Sequence, residues 1–309
     1  MRVVNKSFSK IENKYFLSVF ALKGKAYYAL PMTKTEHIEN VKQAAEKIKS
    51  LAGDIVPKTA FVLGSGLGVL ADEVEDKVVI PYADLPGFPV PTVEGHAGEI
   101  VLGRMGGKDV LFLNGRVHTY ETNDFYPLKT LIRTVRMLGI ENLFLSSASG
   151  SLRDEIAPGQ IMIIRDHINM MGINPLIGDN DDEFGPRFPP MGNAWDADLR
   201  EKLLQTAKQE NIALHSGVFI GFRGPTFETP AEIKMARSLG ADAVGMSSVP
   251  ECILARHCGL KVMGCAVITN FGAGMSDEEL SHAQTLEGSA LAADSFKKLL
   301  RSFIFNYLP

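Results

Sequence analysis

TAFVLGSGLGVLADEV (Thr59–Val74) sets an apolar run against three glycines and follows them with a helix-like pattern. A short buried run bounded by glycine reads as a strand inside a sheet. Glycines let backbone N–H groups approach a ligand closely, and a helix starting there would turn its positive end to the same spot. The combination predicts an anion site, with phosphate the natural occupant and the Ser65 hydroxyl at its tip.

Working outward, Ile38, Val41, Ala44, Ala45 and Ile48 recur at helical spacing before this stretch. After it, EIVLGRM and DVLFLNG flank Gly106-Gly107 as a hairpin. Pro127–Leu138 reads as an amphipathic helix, NLFLSSAS and GQIMIIRDHIN as strands, and Leu199–Gln209 as a helix leading to the strand GVFIGF. Thr229-Pro230 has the form of a helix cap followed by proline at the first helical position, with Gly240 to stop the helix. DAVGMS, VPECILARHCG and KVMGCAVITN repeat strand–helix–strand, and Ser276-Asp277-Glu278-Glu279 reads as a capping box opening a C-terminal helix. This alternation predicts one α/β domain, a mixed, largely parallel sheet flanked by helices, over residues 36–309.

Residues 1–35 read as an extension outside that core. YFLSVFAL (Tyr15–Leu22) is interrupted by Lys23 and Lys25 with no A-x-A site after it, so it does not read as a signal peptide. Met32 opens a more conventional start, and residues 1–31 are expected to be dispensable. A hydrophobic fraction of 45% and a charged fraction of 22% fit a soluble protein with a sizeable core. The net charge of −4 argues against nucleic acid or anionic membranes as partners, so any anion site is local. Cys252, Cys258 and Cys265 form no disulfide framework and no zinc spacing; they read as reduced, buried thiols of a cytoplasmic enzyme. No ligand spacing implies a metal.

Three nucleotide or nucleophile templates fail. Gly64-x-Gly66 is followed by Gly68, so the third glycine of a dinucleotide fingerprint is misplaced; G-K-[ST] and G-x-S-x-G are absent. What remains is the glycine loop with Ser65 and the segment GRVHTYE (Gly115–Glu121), where Arg116 and His118, two apart, project to one side of an extended chain. Arginine offers a planar fork of donors for phosphate oxygens, and imidazole can donate as well. SSASGS (Ser146–Ser151), GPTFETP (Gly224–Pro230), GMSSVPE (Gly245–Glu251) and ITNF (Ile268–Phe271) read as further loops past the carboxyl ends of strands, where α/β sheets hold ligands. GPTFETP places an aromatic beside a carboxylate: one to stack on a base, the other to accept from its ring N–H.

GSGLG, GFP-x-x-TVEGHAGE (Gly87–Glu99), GRVHTYE, DHINMMGINPL, FGPRFP, GPTFETPAE, GMSSVPE-x-x-x-ARHCGL and ITN, in this order, closely resemble the trimeric-type purine nucleoside phosphorylases. The resemblance covers the chain from about residue 40 onward. It implies cleavage of a purine nucleoside by orthophosphate, a co-substrate rather than a cofactor, to free base and ribose 1-phosphate, with no organic cofactor. It further implies that Ser65, Arg116, His118, Ser247 and the backbone of Ala148 hold phosphate, with His96 beside them. Tyr120, Met246 and His282 would meet the ribose, and Phe188 would close the ribose site of a neighbouring subunit in a trimer or a pair of stacked trimers. Phe227, Glu228, Thr269 and Asn270 would hold the purine, with Asn270, Glu228 and His118 in the catalytic roles.

Asn270 bears on specificity. A 6-oxopurine has a protonated N1 that ionised Glu228 can accept from, whereas adenine N1 would set acceptor against acceptor. Inosine and guanosine are therefore expected as substrates, with adenosine poor. An aspartate at 270 would resemble the methylthioadenosine phosphorylases, the alternative within the enzyme class; a non-catalytic nucleoside or phosphate binder is the alternative outside it. The sequence departs from the family's T-N-A-A-G-G at Ser147, Ser149 and Ser151, and carries Arg223 where a small or neutral residue is usual. SHAQTL around His282 resembles the xanthosine-accepting branch, for whose readily anionic base Arg223 is a candidate partner, a surface arginine being the plainer expectation.

Overall fold

The computed structural model describes residues 18–22, 25–29, 32–93 and 95–308; residues 1–17, at the head of the expected dispensable extension, lie outside the described residues. In chain order the elements are β1 (Ser18–Leu22), β2 (Lys25–Ala29), α1 (Lys34–Ala52), β3 (Thr59–Leu63), β4 (Glu75–Pro81), β5 (Glu99–Met105), β6 (Lys108–Asn114), α2 (Tyr126–Met137) and β7 (Asn142–Ser151). There follow β8 (Ile161–Asn169), α3 (Ala197–Gln209), β9 (Leu214–Gly221), α4 (Pro230–Ser238), β10 (Ala243–Gly245), α5 (Val249–His257), β11 (Lys261–Phe271) and α6 (His282–Tyr307). Among the described residues β1 and β2 pair only with each other.

The period-2 alternation of the central strands sorts the core into two layers. On β11, Val262, Ala266 and Ile268 face the layer packed by α1, α2 and α5, while Met263, Cys265 and Val267 face the layer packed by α3 and α6. On β3, Ala60 and Val62 face the first layer, Phe61 and Leu63 the second. Both faces of these strands are buried, which is why they read as continuous apolar runs rather than as alternating ones. All three cysteines are buried and unpaired.

The nine main strands run in the order β10-β9-β8-β11-β7-β3-β6-β5-β4. Five pairings are parallel: β3 with β6 and β7, β7 with β11, and β9 with β8 and β10. β10 also pairs antiparallel with the end of β7, Ala243 opposite Ser151 and Val244 opposite Gly150. That last pairing closes β7, β11, β8, β9 and β10 into a ring, and the ends of β7, β10 and β11 meet at its mouth.

Four local expectations change. The stretch after the glycine loop is a 3-10 segment, Gly68–Glu73, not an α-helix: Leu67 N bonds back to Gly64 O and no side chain caps it. SSASGS and ITNF do not open into loops: the expected strands NLFLSSAS and KVMGCAVITN run on through Gly150-Ser151 and Phe271, because the parallel pairing of β7 and β11 continues to Ser151 and Phe271 across a bulge near Asn270. The C-terminal helix is capped by Ser281, whose hydroxyl accepts from Gln284 N, rather than by the Ser276–Glu279 run. β4 was not foreseen, its residues being mostly exposed on the outer edge of the sheet.

A buried polar chain pins α1 to α2. Arg133 Nη1 donates to His37 Nε2 at 2.6 Å, which leaves the Nδ1 proton to be donated to Thr130 Oγ1 at 3.0 Å; that hydroxyl in turn donates to Tyr126 O. Arg133 also pairs with buried Asp181. Burial and the neighbouring Arg133 charge push His37 down to about 4 from the ordinary 6.5. The folded state therefore favours neutral His37, so its contribution is complete above the unfolded-state value and is lost as pH falls from about 6.5 towards 4. We expect His37 to account for on the order of 3 kcal/mol of the stability lost over that window, read as the difference between wild type and His37→Gln in urea titrations at stepped pH. The decline should become shallower in His37→Gln without vanishing, since His96 is held down as well; an equally steep one would show that other groups carry it.

Candidate active site

The ring's mouth opens into a cleft of about 290 Å³, lined by Ser65, Arg116, His118, Tyr120, Ala148, Phe227, Glu228, Met246, Ser247, Thr269, Asn270 and His282 among others. Twelve of the fourteen residues singled out in the sequence thus share one wall system. The others are His96, directly behind Ser65, and Phe188, which stands 86% exposed in a separate groove beside Arg187. Val93, Pro225 and Thr285 also line the cleft; they lie within GFP-x-x-TVEGHAGE, GPTFETP and SHAQTL but were not singled out as site residues.

Close backbone approach builds the floor. A Cβ on Gly64 would stand 2.9 Å from Ser146 O, so only glycine lets the end of β3 lie against β7. Ser146 Oγ donates to Val62 O at 3.0 Å and accepts from Gly64 N at 3.1 Å, fixing the loop that presents Ser65. His96 continues the support: Arg116 N donates to its Nδ1 at 3.3 Å, so the ring proton sits on Nε2 and is donated to Ser65 Oγ at 3.1 Å. The serine's own proton is then free to turn into the cleft. Burial, with the nearby His118 and Arg116, pushes His96 down to about 3, which keeps it in this neutral role.

Arg116 is only 3% exposed, and its guanidinium is shared with the protein. It donates to Ser146 O and to Ser248 Oγ and pairs with buried Glu251 at 3.3 Å, leaving its Nε–H with no acceptor. Ser248 holds φ 67° and ψ −37°, and Val249 N bonds to Ser247 O at 2.8 Å: a γ-turn of the strained hand. That turn places Ser247 on the cleft wall immediately before α5.

His118 is oriented from behind by Glu121, which accepts from its backbone N at 2.7 Å and from Nδ1 at 3.2 Å. Nε2 is therefore the nitrogen left for a ligand. Burial raises the Glu121 carboxyl, but the hydrogen bonds from His118 and Thr92 outweigh it and hold the group down to about 2. Tyr120 stacks on His118, with centroids 4.8 Å apart and rings 10° from parallel.

The other end of the cleft is set for a heterocycle. Phe227 is partly exposed there, and Glu228 is buried with Oε1 lacking any partner; burial raises its carboxyl above the ordinary value. Asn270 donates from Nδ2 to Phe271 O at 2.9 Å, which fixes the amide so that Oδ1 accepts from Thr269 Oγ1 at 2.7 Å. Its second N–H remains for a ligand. Ser147 and Ser149, the departures from the family pattern, bond to each other at 3.2 Å and close the wall between the two ends. Arg223 does not line the cleft: it bonds to Thr119 O and Asn123 Oδ1, so its candidacy as a direct partner of the purine is not supported. Among the described residues no group of three or more His, Cys, Asp or Glu side chains converges as a metal site.

The model of the phosphorylase superfamily matches residues 58–304. Purine nucleoside phosphorylase 1 of Bacillus subtilis is 44% identical over 269 residues, covering 87% of this chain and 99% of that protein. A crystal structure of purine nucleoside phosphorylase from Schistosoma mansoni in complex with inosine superposes with a TM-score of 0.82 at 37% identity, covering 88% of this chain and 97% of that one. A second structure of the Schistosoma mansoni enzyme, in complex with adenosine, gives a TM-score of 0.82 at 38% identity, covering 87% and 98%. The chain belongs to the phosphorylase superfamily and, within it, to the purine nucleoside phosphorylases.

Glu121 offers a test of the site's architecture. Glu121→Gln keeps the shape but removes the charge that orients His118, and should lower kcat/KM with inosine and phosphate by about a hundredfold. Steady-state kinetics with phosphate varied at saturating inosine would check this through kcat/KM for phosphate, and an unchanged value would contradict the assigned role.

Proposed function

We propose that the cleft cleaves the N-glycosidic bond of inosine, guanosine and their deoxy forms with orthophosphate, giving the free base and (deoxy)ribose 1-phosphate for purine salvage. The observation that carries the assignment to 6-oxopurines is the unpartnered, buried Glu228 Oε1 beside an Asn270 amide whose orientation is fixed. Ionised Glu228 accepts from N1–H. The free N–H of Asn270 donates to N7, where negative charge gathers as the bond breaks; a contact that strengthens in the transition state raises turnover.

Ser65, Arg116, His118, Ser247 and the Ala148 backbone hold phosphate, with His96 supporting Ser65. Tyr120, Met246 and His282 hold the ribose between phosphate and base. Phosphate poised beneath the sugar attacks the anomeric carbon and stabilises the positive charge that develops there. No organic cofactor or metal enters this chemistry. Asn270 and His282 both border the cleft, which favours this reading over a methylthioadenosine phosphorylase. The fixed Ser65, His118 and Asn270 side chains favour an enzyme over a passive binder.

The exposed Phe188 fits a trimer in which it closes the ribose site of the neighbouring copy. We place the catalytic domain at residues 36–309 and an extension at 1–35, whose last residues cap and begin α1 at Thr33 and Lys34. We place the enzyme in the cytoplasm; among the described residues no helix is long and apolar enough to cross a membrane.

Base release from inosine, guanosine, xanthosine and adenosine, each with and without orthophosphate, tests the assignment. Release should require phosphate and be fast for inosine and guanosine, and xanthosine turnover would assign the branch. The adenosine complex of the Schistosoma mansoni relative makes turnover, rather than binding, the decisive readout. Adenosine turned over as fast as inosine would overturn the Glu228 argument. Asn270→Asp, able to accept from an adenine amino group, should raise the adenosine-to-inosine ratio of kcat/KM by at least about tenfold.

A further inference from the structure

Arg223 joins two segments that line different parts of the cleft, without lining it itself. Its Nε and Nη2 both donate to Thr119 O, each at 3.3 Å, and Nη2 also donates to Asn123 Oδ1. Thr119 lies between His118 and Tyr120. On the other side, Arg223 is followed directly by Gly224 and Pro225, and then by Phe227 and Glu228. The two segments also touch: Gly224 sits at φ +72°, and a side chain there would collide with the Met246 sulfur and press on the Tyr120 ring at 3.3 Å.

Neither segment is held by strand or helix pairing, since both run as turns and irregular chain. Glu121 ties the His118 segment to Thr92. Arg223 ties it to the strap. The charge-assisted fork gives that tie a definite geometry, because two nitrogens converge on one carbonyl while the second of them also holds an amide side chain.

We propose that Arg223 is a positioning residue that couples purine binding to phosphate binding by making the Phe227–Glu228 strap and the His118–Tyr120 segment move as one body. The proposal rests on the phosphorylase reading of the cleft. A base docked on the strap then orders His118 and Tyr120 through Arg223, and the second ligand has less left to order.

Calorimetric titration of hypoxanthine with and without saturating orthophosphate measures this linkage directly in the wild type, Arg223→Ala, Arg223→Lys and Asn123→Ala. Phosphate should tighten hypoxanthine about tenfold in the wild type and no more than about twofold in Arg223→Ala. Arg223→Lys, a point donor in place of a fork, should fall between them. Asn123→Ala should weaken linkage in the same direction, and it supplies the test if Arg223→Ala does not fold. The ratio of xanthine to hypoxanthine affinity should stay constant throughout, since Arg223 does not reach the base. Full linkage in both alanine variants, a wild type without linkage, or a selective loss of xanthine with linkage intact would each overturn the proposal. Failure of the phosphorylase reading shows separately, as a wild type that releases no base from inosine in orthophosphate.

Discussion

Ser146 is the knot on which the site depends. Fully buried in β7, it bonds through its hydroxyl to Val62 and Gly64 and through its carbonyl to the Arg116 guanidinium. One residue therefore sets the end of β3, the glycine loop and the buried Arg116 guanidinium relative to each other. The missing Cβ at Gly64 is what permits this approach, and the parallel pairing of β7 with β3 on one side and β11 on the other holds Ser146 in place. The same strand carries Ala148 and Gly150 onward to Asn270 on β11, so both ends of the cleft share a common rigid wall.

The electrostatics follow from burial rather than from net charge. A chain of net charge −4 buries Arg116 against Glu251 and leaves one N–H unanswered, which is the local cation that the proposed phosphate site relies on. A buried ion pair of this sort is a weak source of stability, because desolvation offsets the attraction. Its value here is orientation. His96 is kept neutral to serve Ser65, while Glu121 is kept ionised to serve His118, so two histidines whose ring centroids lie 5.3 Å apart take different roles from different neighbours.

Much of this was legible in the sequence, and the gaps have physical causes. The buried runs on β3, β7 and β11 showed as apolar stretches, and the cap at Thr229 with Pro230 showed as local chemistry. GSGLG, GRVHTYE, GPTFETP and ITN named the cleft residues because each is a short segment where function constrains residue type. Ser146–Ser149 were read both as the end of the strand NLFLSSAS and as the start of a loop, because small polar residues in a strand mimic turn composition; pairing with β10 and β11 settles the strand and carries it on to Gly150 and Ser151. The 3-10 segment after the glycine loop looked helical because apolar spacing does not separate one tight helical form from the other over six residues. Support from Ser248, Glu251 and Thr92 could not be read at all, since these residues meet their partners only through tertiary contacts. Arg223 drew notice by being unusual, yet its partners Thr119 and Asn123 lie about a hundred residues away.

The central claim is that phosphate is a reactant held beside the sugar, not an ion that merely occupies the glycine loop. Phosphorus-31 NMR of the protein with inosine and orthophosphate tests it most directly. The account predicts that the orthophosphate signal declines as a sugar phosphomonoester signal grows, in step with released hypoxanthine. Hypoxanthine appearing together with free ribose, with orthophosphate unconsumed, would contradict it.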